Sequence, residues 1–160
     1  MSQPVQLTDV SFFMKRHLVD IFDTMLSMPA VLATNGEQPH HDERVTGSVG
    51  FAGETVTGAV YLHLSTPFAN RMAAAMLGLT VEEITNECDT NDVVGEVTNM
   101  LTGGLKSWLC DAGAECAVST PAIIRGRSFE IEHMADVQHE ALTFSCGTDK
   151  VVVEIHIKLN

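Results

Sequence analysis

Nowhere in these 160 residues do about 18 apolar residues run together, the length a membrane-crossing helix needs. Positive charge is scarce as well: nine Lys and Arg stand against 21 Asp and Glu, for a formal net charge of −12. With no basic cluster to offset that balance, the chain repels a phosphate backbone, which sets nucleic-acid binding aside. Residues 1–9 lack the basic stretch and apolar run of a secretory leader, so the expected location is the cytoplasm. Cys88, Cys110, Cys116 and Cys146 never form a C-x-x-C pair, and in a reducing compartment they are expected to be buried, free thiols. There is no Walker loop, no G-x-G-x-x-G opening a helix and no G-x-S-x-G elbow; Ser145-Cys146-Gly147 is not one. Nucleotide binding and serine-hydrolase chemistry therefore have no support. Low-complexity segments and repeats are absent too.

What is present fits one folded domain spanning residues 1–160, with 45% hydrophobic and 19% charged residues. Val10, Phe13, Met14, Leu18, Ile21, Phe22 and Met25 recur at three- and four-residue steps, an amphipathic helix followed by Pro29. Thr34 to Glu43 is polar and rich in turn formers, and reads as a loop. Val45 to Ala52 and Gly58 to Leu64 read as an antiparallel hairpin turning at Gly53-Glu54. Thr66 and Pro67 supply an N-cap and first-turn proline for a helix that Gly78 stops. An acidic connection leads to a second long helix from about Asn91 to Cys110, with Gly113 just beyond. Strands are expected over Cys116 to Ile124, Phe129 to Met134, Ala141 to Cys146 and Val151 to Leu159. The last alternates, with Val151, Val153, Ile155, Ile157 and Leu159 facing a core and Glu154, His156 and Lys158 facing water. The sum is an α+β fold, an antiparallel sheet with its helices on one side.

The chemistry concentrates in residues 91–110. At about 100° per residue, Asp92, Glu96, Asn99, Gly103 and Lys106 share an arc of roughly 80°. Val94, Val97, Leu101, Gly104, Leu105 and Trp108 fall opposite. An exposed glycine inside a helix costs about 1 kcal/mol relative to alanine. Gly103 therefore points to a surface that another backbone approaches closely, while Gly104, on the buried side, lets the helix sit near the sheet. A bare E-x-x-N match is weak, and Glu83-Ile84-Thr85-Asn86 has the same spacing. That second match has neither an apolar stripe behind it nor glycines after it.

The pattern Asp92-x-x-x-Glu96-x-x-Asn99, followed by Met100, Gly103, Gly104 and Lys106, resembles the D/S-x-x-x-E-x-x-N motif of the CheC/CheX/FliY phosphatases. The segment Gly58 to Gly78 is similar to the strand and helix preceding that motif. The CheX branch fits best, because the first helix carries Asp20 and Asp23 but no E-x-x-N of its own. The resemblance implies a CheC-like fold, a homodimer and activity as a chemotaxis phosphatase on the aspartyl phosphate of a CheY-like receiver. It implies no cofactor bound by this chain; the magnesium is held by the receiver. Asn99 is implied to position the attacking water and Glu96 to pair with the receiver's active-site lysine. Asp92, Met100, Gly103 and Lys106 are expected at the docking surface. Asp92 either caps the helix start or adds a rim contact. Met72, Met76 and Met100 suit a plastic docking surface or gap-filling in the core. A homodimer could pair the edge of strand Val151–Leu159 about a twofold axis. The rival reading is a non-catalytic adaptor that binds a receiver or flagellar-switch component through the same helix.

Other candidates are weaker. His40-His41-Asp42-Glu43 looks like a metal cluster, yet nothing at a recognisable spacing supplies further ligands. His133, His139 and His156 show no H-x-H or H-x-x-x-H pattern, and His17 lies beside the first helix's apolar stripe.

Overall fold

A computed structural model describes residues 3–33 and 43–160. Residues 34–42, with most of the expected polar loop and its His40-His41-Asp42 run, lie outside the described part. The chain forms α1 (Leu7–Leu26), β1 (Val31–Leu32), β2 (Arg44–Ala52), β3 (Val56–Ser65), α2 (Thr66–Leu77), α3 (Glu87–Asp111), β4 (Ala117–Val118), β5 (Ala122–Gly126), β6 (Gln138–Cys146) and β7 (Asp149–Leu159). All strands belong to one sheet, ordered β1-β6-β7-β3-β2-β4, with β5 beside β4 on the same edge of β2. Every pairing is antiparallel. The fold is α+β, as the element pattern implies.

Local chemistry explains most boundaries. The backbone N–H of Gln6 donates to Asp9 Oδ2 at 3.1 Å, closing the start of α1. The stripe Val10, Met14, Leu18, Ile21 and Phe22 is buried against the sheet, as its spacing predicts. In α2 the cap is Ser65 rather than Thr66: the Ser65 hydroxyl accepts from Phe68 N–H at 3.2 Å. Thr66 is instead tied back to the Glu43 carbonyl, through both its N–H and its hydroxyl. Gly78, at φ 69°, ends α2 in the left-handed region that favours glycine.

Two expected strands differ. Cys116 to Ile124 is interrupted around Pro121, giving two short pieces, and Ser119 rather than a ladder residue bonds to Gly50. Proline cannot donate to a ladder, so the edge breaks there. Phe129 to Met134 forms no strand. That segment crosses the face of the sheet away from the helices, with the Phe129 ring 3.9 Å from the Arg44 guanidinium carbon.

The largest difference concerns β7. It pairs with β6 on one side and β3 on the other, so it is a central strand and offers no edge to a second copy. Its second face is not wet either. Val152, Glu154 and His156 are buried, and of the three residues expected to face water only Lys158 does. Burial raises the Glu154 carboxyl, but hydrogen bonds from His63, His156 and His139 outweigh it and hold the group at about 2. A lone buried carboxylate would be costly; here three imidazoles satisfy it. The thiols are free, but only Cys146 is buried; Cys110 and Cys116 are half-buried and Cys88 is exposed.

Candidate active site

The helix α3 begins one turn earlier than its apolar pattern suggests. Asn86 is its N-cap, accepting from Asp89 N–H through Oδ1 at 3.0 Å. That excludes Asp92 as a helix cap and leaves it as an exposed residue in the second turn. It also accounts for the second E-x-x-N match. Glu83 accepts from Thr80 N–H at 3.1 Å in the preceding short turn, and Asn86 caps α3, so both side chains are occupied with local structure.

The helix is fixed on three sides. Below it, Gly47 of β2 lies where any Cβ would overlap the Thr98 side chain, so helix and sheet meet at the closest approach the backbone permits. Thr98 and Thr102 donate back to the carbonyls of Val94 and Thr98 at 2.7 and 2.8 Å, so buried hydroxyls have partners. On one flank Arg125 of β5 donates twice to Asn91 Oδ1, at 2.9 and 2.7 Å. Its ion pair with the exposed Glu87, at 3.8 Å, adds little by comparison. Thr90 bonds Asn70 of α2 at 2.9 Å. On the other flank α1 packs through His17, whose Nε2 lies 3.1 Å from the Met100 carbonyl oxygen. Gly104 faces that imidazole, not the sheet; a Cβ there would overlap the ring. The glycine that admits the sheet is Gly47, and no sequence pattern marked it.

The outward stripe of this fixed helix is the one the spacing predicts. Glu96 is exposed and Asn99 half-exposed, three residues apart and therefore neighbours on one face. Gly103, one turn on, has no atom of the described residues within 4 Å of where a Cβ would stand, so among them the surface beside Asn99 is open. Lys106 is half-exposed further along. Met100 is different: it is partly buried against the core, and Met72 is fully buried, so gap-filling accounts for Met72 and for much of Met100. A groove of about 450 Å³ between α1 and α3 is lined by Phe12, Phe13, Arg16, His17 and Trp108, and none of the stripe residues contributes to it.

Chemically, the stripe offers one carboxylate and one amide on a rigid support. The amide both donates and accepts without titrating, and the carboxylate can hold a cation. Neither is a strong nucleophile, so the stripe suits a substrate that arrives already activated. No helix among the described residues is long and apolar enough to cross a membrane.

The chain is similar to known chemotaxis proteins in sequence and fold. Residues 45–145 match the family model described as chemotaxis phosphatase CheX, a span that includes Asp92, Glu96 and Asn99. A CheC-like superfamily protein from Shewanella sp. PV-4 is 28% identical, with a TM-score of 0.80 over 96% of this chain and 99% of that one. The chemotaxis protein CheX of Vibrio vulnificus is 25% identical, with a TM-score of 0.78 over 94% and 97%. A CheX–CheY–BeF3–Mg2+ complex from Borrelia burgdorferi shares the fold at 19% identity, with a TM-score of 0.75 over 96% and 99%. No curated protein sequence matches significantly. With the family model covering well over half of its length and the motif-bearing helix held at the surface, this chain belongs to the CheX family of chemotaxis phosphatases.

Proposed function

We propose that this chain hydrolyses the aspartyl phosphate of a CheY-like receiver domain, with Glu96 and Asn99 as its working residues. The observation that carries the reading is their joint exposure on α3 beside the open surface at Gly103. An acyl phosphate is already activated, so a phosphatase of this kind needs to orient water and hold the docked pose. Asn99 would place the water in line with phosphorus, and Glu96, one turn earlier, would pair with a lysine of the receiver. The magnesium of the reaction sits on the receiver. The Borrelia burgdorferi relative, captured with CheY, BeF3 and Mg2+, supports that partner. Asp92 and Lys106 flank the pair as rim contacts.

The test is decay of a phosphorylated receiver with and without this protein. Accelerated decay supports the phosphatase. Binding with unchanged decay would establish the rival, an adaptor using the same helix.

The same reading includes a homodimer, with its route revised. Since β7 is central, pairing must use another edge. Among the described residues, β1 is a sheet edge carrying exposed Val31 and Leu32, 65% and 42% accessible. Light scattering across a dilution series checks this: a mass near 17.3 kDa at micromolar concentration means a monomer.

A further inference from the structure

On the sheet face opposite the helices, four segments distant in sequence converge on Glu154. His63 of β3 donates from Nε2 to Glu154 Oε1 at 2.8 Å, while its Nδ1 pairs with the Thr46 hydroxyl at 2.7 Å. One carboxylate oxygen is thus held by a histidine that is itself held. The other, Oε2, lies 3.1 Å from His156 Nε2 and 3.3 Å from His139 Nε2. The segment crossing this face brings a further imidazole. The His133 ring stacks on His139 with centroids 5.2 Å apart and meets His156 edge-on at 5.9 Å. His133 Nδ1 lies 3.0 Å from the Met134 carbonyl, which favours the tautomer that leaves Nε2 as a bare lone pair. Lys158 pairs with Asp136 at 2.8 Å and pins the same segment to β7.

We propose that His139, Glu154 and His156 form a binding site for a divalent transition metal of the zinc class, with His133, whose ring stacks on His139, as the neighbouring imidazole that can turn in to the fourth position. The donor atoms of the first three lie within 4.8 Å of one another. Tetrahedral zinc with bonds of about 2.0–2.1 Å sets its ligand atoms roughly 3.3 Å apart. The two distances to Glu154 Oε2 already match that spacing. His139 is at the rim, with 32% of its side chain accessible, so it is the ligand free to close the remaining gap. Imidazole donors select zinc, copper or nickel over magnesium and calcium, which prefer all-oxygen shells. His63, backed by Thr46, orients the carboxylate as an outer-shell partner does.

A metal here would fasten the crossing segment to the sheet. It would take no part in chemistry at Glu96 and Asn99, because α3 packs on the other face. Failure of this site would therefore leave the phosphatase reading untouched, and the reverse also holds.

The experiment uses the whole chain after chelator treatment, titrated with Co2+ as spectroscopic probe and then with Zn2+ in competition. The expected result is one Co2+ per chain with the visible d–d absorption of a four-coordinate site, bleached by Zn2+. Zn2+ should also raise the melting temperature. His139→Ala, at an accessible side chain, should fold normally by circular dichroism and weaken Co2+ binding at least tenfold. His133→Ala provides a second variant outside any strand and should shift the spectrum or weaken binding. A double His40→Ala, His41→Ala variant should bind as before. The proposal is overturned by a folded wild-type protein that shows no Co2+ absorption and no zinc-dependent stabilisation. It is equally overturned if the His139 and His133 variants bind unchanged, or if the His40, His41 variant loses the metal.

Discussion

The imidazole of His17 occupies the space that a side chain at Gly104 would fill, and from there its Nε2 reaches the Met100 carbonyl oxygen at 3.1 Å. Phe13 stacks between His17 and Trp108, its ring centroid 5.1 Å from the imidazole and 5.7 Å from the indole. The first helix is thereby seated against α3 within a turn or so of Asn99. What looks like a weak point in a helix is a socket for its neighbour.

The socket predicts a change of sign in a double-mutant cycle. In the wild-type background Gly104→Ala overpacks against His17, a class of change that costs about 1–3 kcal/mol. In a His17→Ala background the collision is gone, and the same substitution should stabilise by up to about 1 kcal/mol through helix propensity. Urea unfolding of the four proteins measures both steps. Equal effects in the two backgrounds would mean the two residues do not compete for the same space.

Asn99→Ala should remove most of the stimulated receiver dephosphorylation while leaving stability within about 0.5 kcal/mol, because the side chain supports nothing beneath it. Glu96→Ala should act differently. If Glu96 holds the docked receiver, raising receiver concentration should recover much of the lost rate. Full activity in folded Asn99→Ala, or a loss in Glu96→Ala that ignores concentration, would reassign these roles.

Gly103 separates binding from folding. No described residue comes within 4 Å of a Cβ placed there, so Gly103→Leu meets no obstacle among them and should gain up to about 1 kcal/mol of helix stability. The same side chain should obstruct an approaching receiver and weaken its binding by roughly tenfold or more, the effect of about 1.4 kcal/mol of steric cost. Unchanged affinity would mean the partner does not come near this turn.

The cysteines should differ sharply in reactivity. Burial, aided by the Asp149 charge, pushes the Cys146 thiol from 9.0 up to about 11, while Cys88 is exposed. Two units leave roughly a hundredfold less reactive thiolate at mildly alkaline pH. Alkylation followed by mass spectrometry should therefore modify Cys88 early and Cys146 only on unfolding. A thiol raised by folding favours the native state below the ordinary thiol pKa, and that contribution is lost as pH rises through about 11. Stability should fall with pH from about 9 upward, less steeply in Cys146→Ala.

Elements whose information is local are legible in the chain before it folds. The stripe of α1, the hairpin of β2 and β3, the stop at Gly78 and the outward set Asp92, Glu96, Asn99 and Gly103 all follow from periods of 3.6 or 2 and from turn chemistry. A helix surface is built from residues three and four apart, so the exposed carboxylate and amide were legible before any folding. Features that depend on distant neighbours emerge when the elements pack together. Alternation in β7 marks one core face but cannot say that β3 and β6 flank it, or that a crossing segment covers the other face and buries Glu154 and His156. The meeting of His63, His139 and His156 around one carboxylate, with His133 packed on two of their rings, has no sequence spacing at all, because strand order and the crossing segment's path create it. Gly47 and Gly104 read alike as small residues, and only the packing partner, Thr98 for one and His17 for the other, gives each its task. Such contacts are fixed when whole elements dock, and the burial of the shared core selects that docking.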